Sequence, residues 1–228
     1  MLRRLKSLVL RVRPGASGPA PLTLPTLNAS TAGRFLYYQR LFHLARACEG
    51  DVVECGIGRG QTLVMWAALV HDEGDHRHLW GFDSFEGFPM PTLEDASPRN
   101  WRQGEWAVST PTTIRDLFVR AGYSAEWFRA YVTLIKGFFA DSLQLYSGGP
   151  IALLHLDVDL YESYRECLTK LYDKVAPGGV IAFDEYMGTF EYINAPGARR
   201  AIDEFFSERG VCIQRDAIFG KYYALKPR

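Results

Sequence analysis

Hydrophobic positions along this chain repeat with two different periods, and the two alternate. From about residue 31, Phe35, Leu36, Leu41, Phe42 and Leu44 fall at near-helical spacing and predict an amphipathic helix. The β-branched run Asp51-Val52-Val53-Glu54-Cys55 predicts a short strand, and Gln61 to Val70 a helix after it. A second strand, His78 to Phe82, ends on Asp83, and a helix is expected from near Thr112 to near Gly122. Tyr131 to Ile135 predicts a third strand, and Ile151 to Leu156, apolar apart from His155, a fourth that ends on Asp157. Glu162 to Val175 predicts a helix stopped by Pro177-Gly178-Gly179. Val180 to Phe183 predicts a buried strand ending on Asp184, and Ala198 to Glu208 a helix. Val211 to Leu225 alternates around Phe219-Gly220 and predicts a terminal antiparallel hairpin.

Short apolar strands alternating with helices define an α/β fold, a doubly wound and mostly parallel sheet with helices on both faces. Ligands of such sheets lie at the carboxyl ends of the strands. Four of those ends here carry acids or glycines: Glu54 with the glycines after it, Asp83, Asp157 and Asp184. The polar stretch from Pro89 to Pro111 is long for a connection and predicts a lid or binding loop.

Residues 1–30 read as a basic, then Pro/Gly-rich arm, and 31–228 as one domain. The first thirteen residues predict a short basic surface helix, with weak contact to a membrane surface or acidic partner as the alternative. Their apolar run is interrupted by Arg11 and Arg13 and is too short for a transmembrane segment. The 26 basic and 26 acidic residues cancel, which argues against nucleic acid as a partner. The four cysteines, Cys48, Cys55, Cys167 and Cys212, have no zinc-ligand spacing. They are expected as free thiols in a reducing, cytoplasmic setting.

The turn Glu54-Cys55-Gly56-Ile57-Gly58-Arg59-Gly60 opens a helix. A dinucleotide fingerprint spaces its glycines Gly-x-Gly-x-x-Gly around a pyrophosphate. Here the third glycine comes one residue early and Gln61 follows it, which suits a cofactor without phosphates. Asp83 stands where a ribose is held, or alternatively caps the turn through Ser84. Gly137 and Phe138 are candidate adenine contacts. Asp157, Asp184 and Glu185 would repel one another at adjacent strand ends. An oxygen-only cluster of this kind favours Mg²⁺ over zinc, or else the acids cap helices. Asp159, two residues on, is placed to take a proton in the same cleft. His155 is expected as an interior histidine. Trp101 and Trp106 either close over a substrate ring or anchor the loop.

Taken in order, Glu54-Cys-Gly-Ile-Gly-Arg-Gly, Phe82-Asp-Ser-Phe-Glu-Gly-Phe-Pro, Gly137-Phe-Phe-Ala-Asp-Ser-Leu, Asp157-Val-Asp-Leu-Tyr-Glu-Ser, Pro177-Gly-Gly and Phe183-Asp-Glu-Tyr resemble the macrocin O-methyltransferase family. The resemblance runs from about residue 34 to the end. It implies a Rossmann-like class I methyltransferase fold, whose sheet is seven-stranded, and S-adenosylmethionine as methyl donor. It also implies Mg²⁺ and a small-molecule hydroxyl acceptor, a sugar on a natural product or glycan. Family members often self-associate, so a homo-oligomer is expected. By position, Asp157, Asp184 and Glu185 match the metal ligands and Asp159 the general base, with Asp157 also catalytic. The expected donor contacts are Glu54, Cys55, Gly56, Gly58, Gly60, Gln61, Thr62, Asp83, Ser84, Gly137, Phe138 and Asp157. Two departures stand out: many members carry Asp-Asp at Asp184-Glu185, and Gly-Gly at Gly60-Gln61. A phenol or catechol acceptor and a non-catalytic S-adenosylmethionine-binding protein are the alternatives. A nicotinamide-dependent oxidoreductase is disfavoured by the glycine spacing.

Overall fold

The computed structural model describes residues 22–228. The basic stretch 1–13, with the surface helix expected there, and the start of the arm lie outside the described residues. Residues 22–27 of the arm have no regular secondary structure, and its last residues, Ala29 and Ser30, open the first helix. Leu22 is buried against the domain, Arg120 donates to its carbonyl, and Gln61 Nε2 donates to the Thr23 carbonyl at 3.0 Å.

Helix α1 (Ala29–Ala45) starts at a capping box in which Asn28 Oδ1 accepts from the Ser30 and Thr31 amides. Then come β1 (Asp51–Cys55), α2 (Gln61–Asp72), β2 (Leu79–Asp83), α3 (Pro111–Arg120), α4 (Ala125–Tyr131), β3 (Val132–Lys136) and α5 (Phe139–Ser142). The second half is β4 (Ile151–Leu156), α6 (Tyr161–Leu171), β5 (Val175–Phe183), α7 (Thr189–Asn194), α8 (Pro196–Ser207), β6 (Ile213–Arg215) and β7 (Tyr222–Leu225). The strands form one seven-stranded sheet in the order β3-β2-β1-β4-β5-β7-β6. β1 to β5 are parallel, and the β6–β7 hairpin joins β5 antiparallel. This is the expected α/β architecture with its terminal hairpin.

The register sets up the site. Cys55 is level with Phe82 on β2 and Leu156 on β4, and Leu156 is level with Phe183 on β5. The next residues, Gly56, Asp83, Asp157 and Asp184, therefore emerge along one edge. The chain reverses its direction of travel between β1 and β4, and the crevice opens at that reversal. The two faces of the sheet are filled differently. Trp66, Tyr38 and Leu63 pack one face with α1, α2 and α3, while Tyr164, Leu168 and Ile202 pack the other with α6 and α8.

Several elements depart from the sequence pattern. In α1 the buried face is Tyr37, Tyr38, Leu41, Phe42 and Ala45, whereas Leu36 and Leu44 are exposed. The tyrosines, amphipathic by nature, carry the contact that the aliphatic pattern assigned elsewhere. α4 and α7 were not expected: one is seven residues and the other six, too short to display a period. Helix α6 ends at Leu171, and Pro177-Gly178-Gly179 lies inside β5 instead of stopping the helix. β5 bulges there, since Ile151 pairs with Val175 but Leu153 with Val180. Gly178, at φ +81°, donates to Lys226 O at 2.8 Å and so ties the bulge to the residues that follow β7.

Candidate active site

A cavity of about 610 Å³ opens at the carboxyl ends of β1, β2, β4 and β5. That size suits a cofactor with a small acceptor. One end is walled by Gly56, Gly58, Gln61, Thr62, Asp83, Ser84 and Phe138, the other by Asp157, Asp159, Asp184 and Glu185. Donor-side and metal-side candidates thus share one space.

The three glycines of the turn have three different causes. A Cβ on Gly56, at φ +86°, would lie 1.7 Å from the Asp157 carbonyl oxygen, so this glycine lets β1 and β4 close. A Cβ on Gly58, at φ +51°, would meet nothing within 4 Å and faces the open crevice. A Cβ on Gly60, at φ +76°, would lie 2.6 Å from Ile114 Cδ1 on α3. Gly60 is not part of the cavity wall and seats α2 against α3. As N-cap it offers no side-chain acceptor, so the first amides of α2 are left for a ligand at the crevice.

Asp83 both walls the cavity and braces the turn. Its Oδ2 accepts from the amides of Ile57 at 2.9 Å and Gly58 at 3.0 Å, and Oδ1 from Phe85 at 2.7 Å. With roughly four acceptor positions on a carboxylate, about one is left for a ribose hydroxyl. Burial raises its pKa, against the pull of those amides. Gly137, at φ +144°, donates to the Asp83 carbonyl at 3.0 Å and positions Phe138 without itself lining the space.

Glu54 and Cys55 also lie behind the cavity wall. Cys55 is fully buried beside Cys167 of α6. Glu54, also fully buried, has Oε1 3.0 Å from His155 Nδ1, while its Oε2 has no partner among the described residues. Burial raises Glu54 and lowers His155 to about 4, so both partners are shifted towards their neutral forms. His155 is thus the interior histidine expected. Titration followed by NMR is expected to show its ring neutral from pH 8 to pH 5. Glu54→Gln keeps a donor to Nδ1, whereas Glu54→Ala orphans the ring and should cost about 1–3 kcal/mol in denaturant melts.

The acid cluster is compact. One oxygen from each of Asp157, Asp184 and Glu185 lies within 4.8 Å of the other two. Glu185 Oε2 accepts from the amides of Val158 at 3.2 Å and Asp159 at 3.1 Å and from Tyr164 Oη at 2.9 Å. Those donors pin the longer glutamate arm and leave Oε1 for a cation. Burial, then the neighbouring aspartates, push Asp157 and Glu185 well above the carboxylate range. Burial would raise Asp184 too, but Lys221, Arg34 and His155 outweigh it and hold it low. Burial and Asp184 push Asp159 up to about 7. It sits at φ +59°, a left-handed conformation unusual for a residue with a side chain. An all-oxygen set whose members resist ionising together fits a hard divalent ion such as Mg²⁺. The open glycine cradle and uncapped α2 likewise fit the amino-acid end of S-adenosylmethionine.

Several wall residues carried no signal in the sequence. Arg34 from α1, Arg99 from the long loop and Glu191 from α7 all face the cavity. Lys221, after the Phe219-Gly220 turn, reaches Asp184 from the hairpin. Fold order alone brings them together, across up to 187 positions of sequence between Arg34 and Lys221. The two loop tryptophans divide the roles proposed for them. Trp101 anchors, donating to Asn194 O at 2.7 Å and meeting Phe88 edge-on at 5.2 Å. Trp106 stays 52% exposed at the mouth with Arg59 over its ring.

The sheet order and the ligand crevice define a class I methyltransferase fold, and solved structures agree. The O-methyltransferase NovP superposes with a TM-score of 0.71 at 25% identity, covering 86% of this chain and 80% of that one. The calicheamicin methyltransferase CalS11 superposes with a TM-score of 0.75 at 22% identity, over 87% and 80%, a likeness of fold. The family model of the macrocin O-methyltransferases (TylF) matches residues 42–219, and the chain belongs to that family. The demethyldecarbamoylnovobiocin O-methyltransferase of Streptomyces niveus is 29% identical over 178 residues, 75% of this chain and 65% of that one. A Streptomyces olivaceus 4'-O-methyltransferase, whose named substrate is a dimethoxyrhamnosyl-tetracenomycin C, is 34% identical over 148 residues, 63% and 55% respectively. The matches span between 55% and 65% of the lengths of these relatives. No helix among the described residues is long and apolar enough to cross a membrane.

Proposed function

We propose that this protein is an O-methyltransferase that moves a methyl group from S-adenosylmethionine to a sugar hydroxyl on a natural product or glycan, with Mg²⁺ at the acid cluster. The observation that carries this reading is one cavity bounded by the glycine turn at one end and by Asp157, Asp184 and Glu185 at the other. The sugar acceptor is supported by the rhamnosyl substrate named for the Streptomyces olivaceus relative.

When bound, the donor supplies an electrophilic methyl on a sulfonium, and the divalent ion lowers the pKa of an acceptor hydroxyl. The chain's own residues supply placement and a proton acceptor. Gly56, Gly58 and the start of α2 would seat the amino-acid end of the donor, Asp83 a ribose hydroxyl, and Phe138 the adenine face. Asp157, Asp184 and Glu185 would hold the cation, and Glu185 also fixes the Asp159 backbone through its amide. Asp159 would take the proton of the acceptor hydroxyl. Placement of the acceptor oxygen by these residues would be the main source of acceleration. Trp106 and Phe190 at the mouth give the acceptor an apolar approach.

Metal removal and Asp157 provide the test. EDTA, or Asp157→Ala, should abolish transfer to a panel of sugar-bearing acceptors while calorimetry still detects S-adenosylmethionine binding. Wild-type rates from Asp157→Ala in EDTA would overturn the metal mechanism. A panel methylated only on catechols would replace the sugar acceptor.

A further inference from the structure

Lys221 occupies an unusual position for a lysine. Its ammonium has three hydrogens, and each has a partner: the Asp184 carbonyl at 2.6 Å, Asp184 Oδ2 at 3.1 Å and Glu191 Oε1 at 2.6 Å. The side chain is only 15% exposed, and its two carboxylate partners 16% and 17%. The cation enters from the β6–β7 hairpin and touches the same carboxylate that, in the reading above, serves the metal.

We propose that Lys221 is a built-in counter-cation of the acid cluster, spanning Asp184 and Glu191, and that it holds the affinity of the cluster for a divalent ion down. This rests on the metal site of the proposed function and adds a residue that tunes it. Two positive charges share one carboxylate. The fixed one keeps the cluster folded before the metal arrives, and it repels the metal when it binds. Because the charges are largely buried, solvent screens that repulsion only in part. Lys221 is a positioning residue: it acts through Asp184 and not on the acceptor.

The experiment measures Mn²⁺ binding to the full chain without donor or acceptor, by calorimetry and by the loss of free-ion paramagnetic resonance signal. Wild type is compared with Lys221→Met, Lys221→Gln and Lys221→Arg. Removing the charge should tighten Mn²⁺ binding by about tenfold or more in both neutral variants. Lys221→Arg, which keeps the charge, should stay within about threefold of wild type. In EDTA the neutral variants should melt below wild type, and saturating Mn²⁺ should narrow that gap. Unchanged or weaker Mn²⁺ binding in both neutral variants, with wild type still binding, overturns the proposal and leaves the metal reading standing. Equal effects of all three substitutions also overturn it, since a packing role would move Arg as much as Met. Binding by the neutral variants but not by wild type supports the proposal and removes the metal from the wild-type reaction. Absence of binding in every protein overturns both. If Lys221→Met fails to fold, Lys221→Gln, which can still donate to Glu191, carries the comparison.

Discussion

Asp159→Asn is expected to slow methyl transfer by about 10²–10⁴-fold while leaving S-adenosylmethionine binding nearly unchanged. Asparagine suits this test because of the backbone. Asp159 sits at φ +59°, and asparagine is among the few residues that accept that region at little cost. The Asp159 amide also keeps its bond to Glu185 whatever the side chain does. The substitution therefore removes the proton acceptor and little else. Alanine at the same place would add strain and confuse the result. Burial and Asp184 push Asp159 up to about 7, a range in which about half of the base is ionised at neutral pH and it holds a proton firmly enough to accept one. Rates with a methylated-product assay, set beside donor affinity from calorimetry, decide the matter. If the variant keeps more than about a tenth of wild-type activity, the proton leaves by another route than this general base.

Gly56→Ala is expected to be the most damaging small substitution in the chain, costing about 4 kcal/mol or more and lowering the melting temperature on the order of 10 °C. Two effects coincide. The residue is at φ +86°, where a side chain is strained, and its Cβ would stand 1.7 Å from the Asp157 carbonyl oxygen. That oxygen belongs to backbone, which cannot rotate away as a side chain can. Relief requires β1 and β4 to part at their ends, where Asp157 N bonds Cys55 O at 3.0 Å, while Gly56 N is held on the other side by Phe82 O of β2 at 2.8 Å. The displacement would carry Asp157 with it, so metal binding should fall together with stability. Gly58→Ala is the control. Its Cβ would meet nothing within 4 Å, so it should weaken donor binding more than it lowers the melting temperature. Thermal melts and donor calorimetry on the two variants separate the glycine that the fold needs from the one that the ligand needs.

These glycines also show how far the sequence could be read. Strand ends were legible because a parallel strand, buried on both faces, is a continuous apolar run that stops abruptly on a polar residue. Asp83, Asp157 and Asp184 were therefore found by position, and their convergence followed from the sheet topology. The purpose of each glycine was not legible, because a missing Cβ is explained only by the atom it would strike. Cys55 and Glu54 sat next to the motif and were read as part of it. A strand alternates its side chains, however, and theirs turn into the two faces of the sheet, towards Cys167 and His155. Arg34 and Lys221 carried no local signal at all. Each is a single charged residue in an otherwise ordinary helix or turn. Only the packing of α1 and the hairpin on either side of β5 gives them a place. α4 and α7 escaped for a simpler reason, since two turns of helix or fewer cannot display a period of 3.6 residues.

The hairpin has a practical meaning for anyone shortening the gene. Chain ends are usually the safest place to cut. Here β7 covers the flank of β5 through four paired positions, from Val180–Leu225 to Phe183–Tyr222. A stop codon shortly before residue 216 would delete β7, strip Lys221 from Asp184 and break the Arg40–Asp216 ion pair that joins the turn to α1. It would also leave a long apolar strand with an open edge, the kind of surface that recruits other chains. Such a truncation would be recovered from inclusion bodies, not as a weakened enzyme.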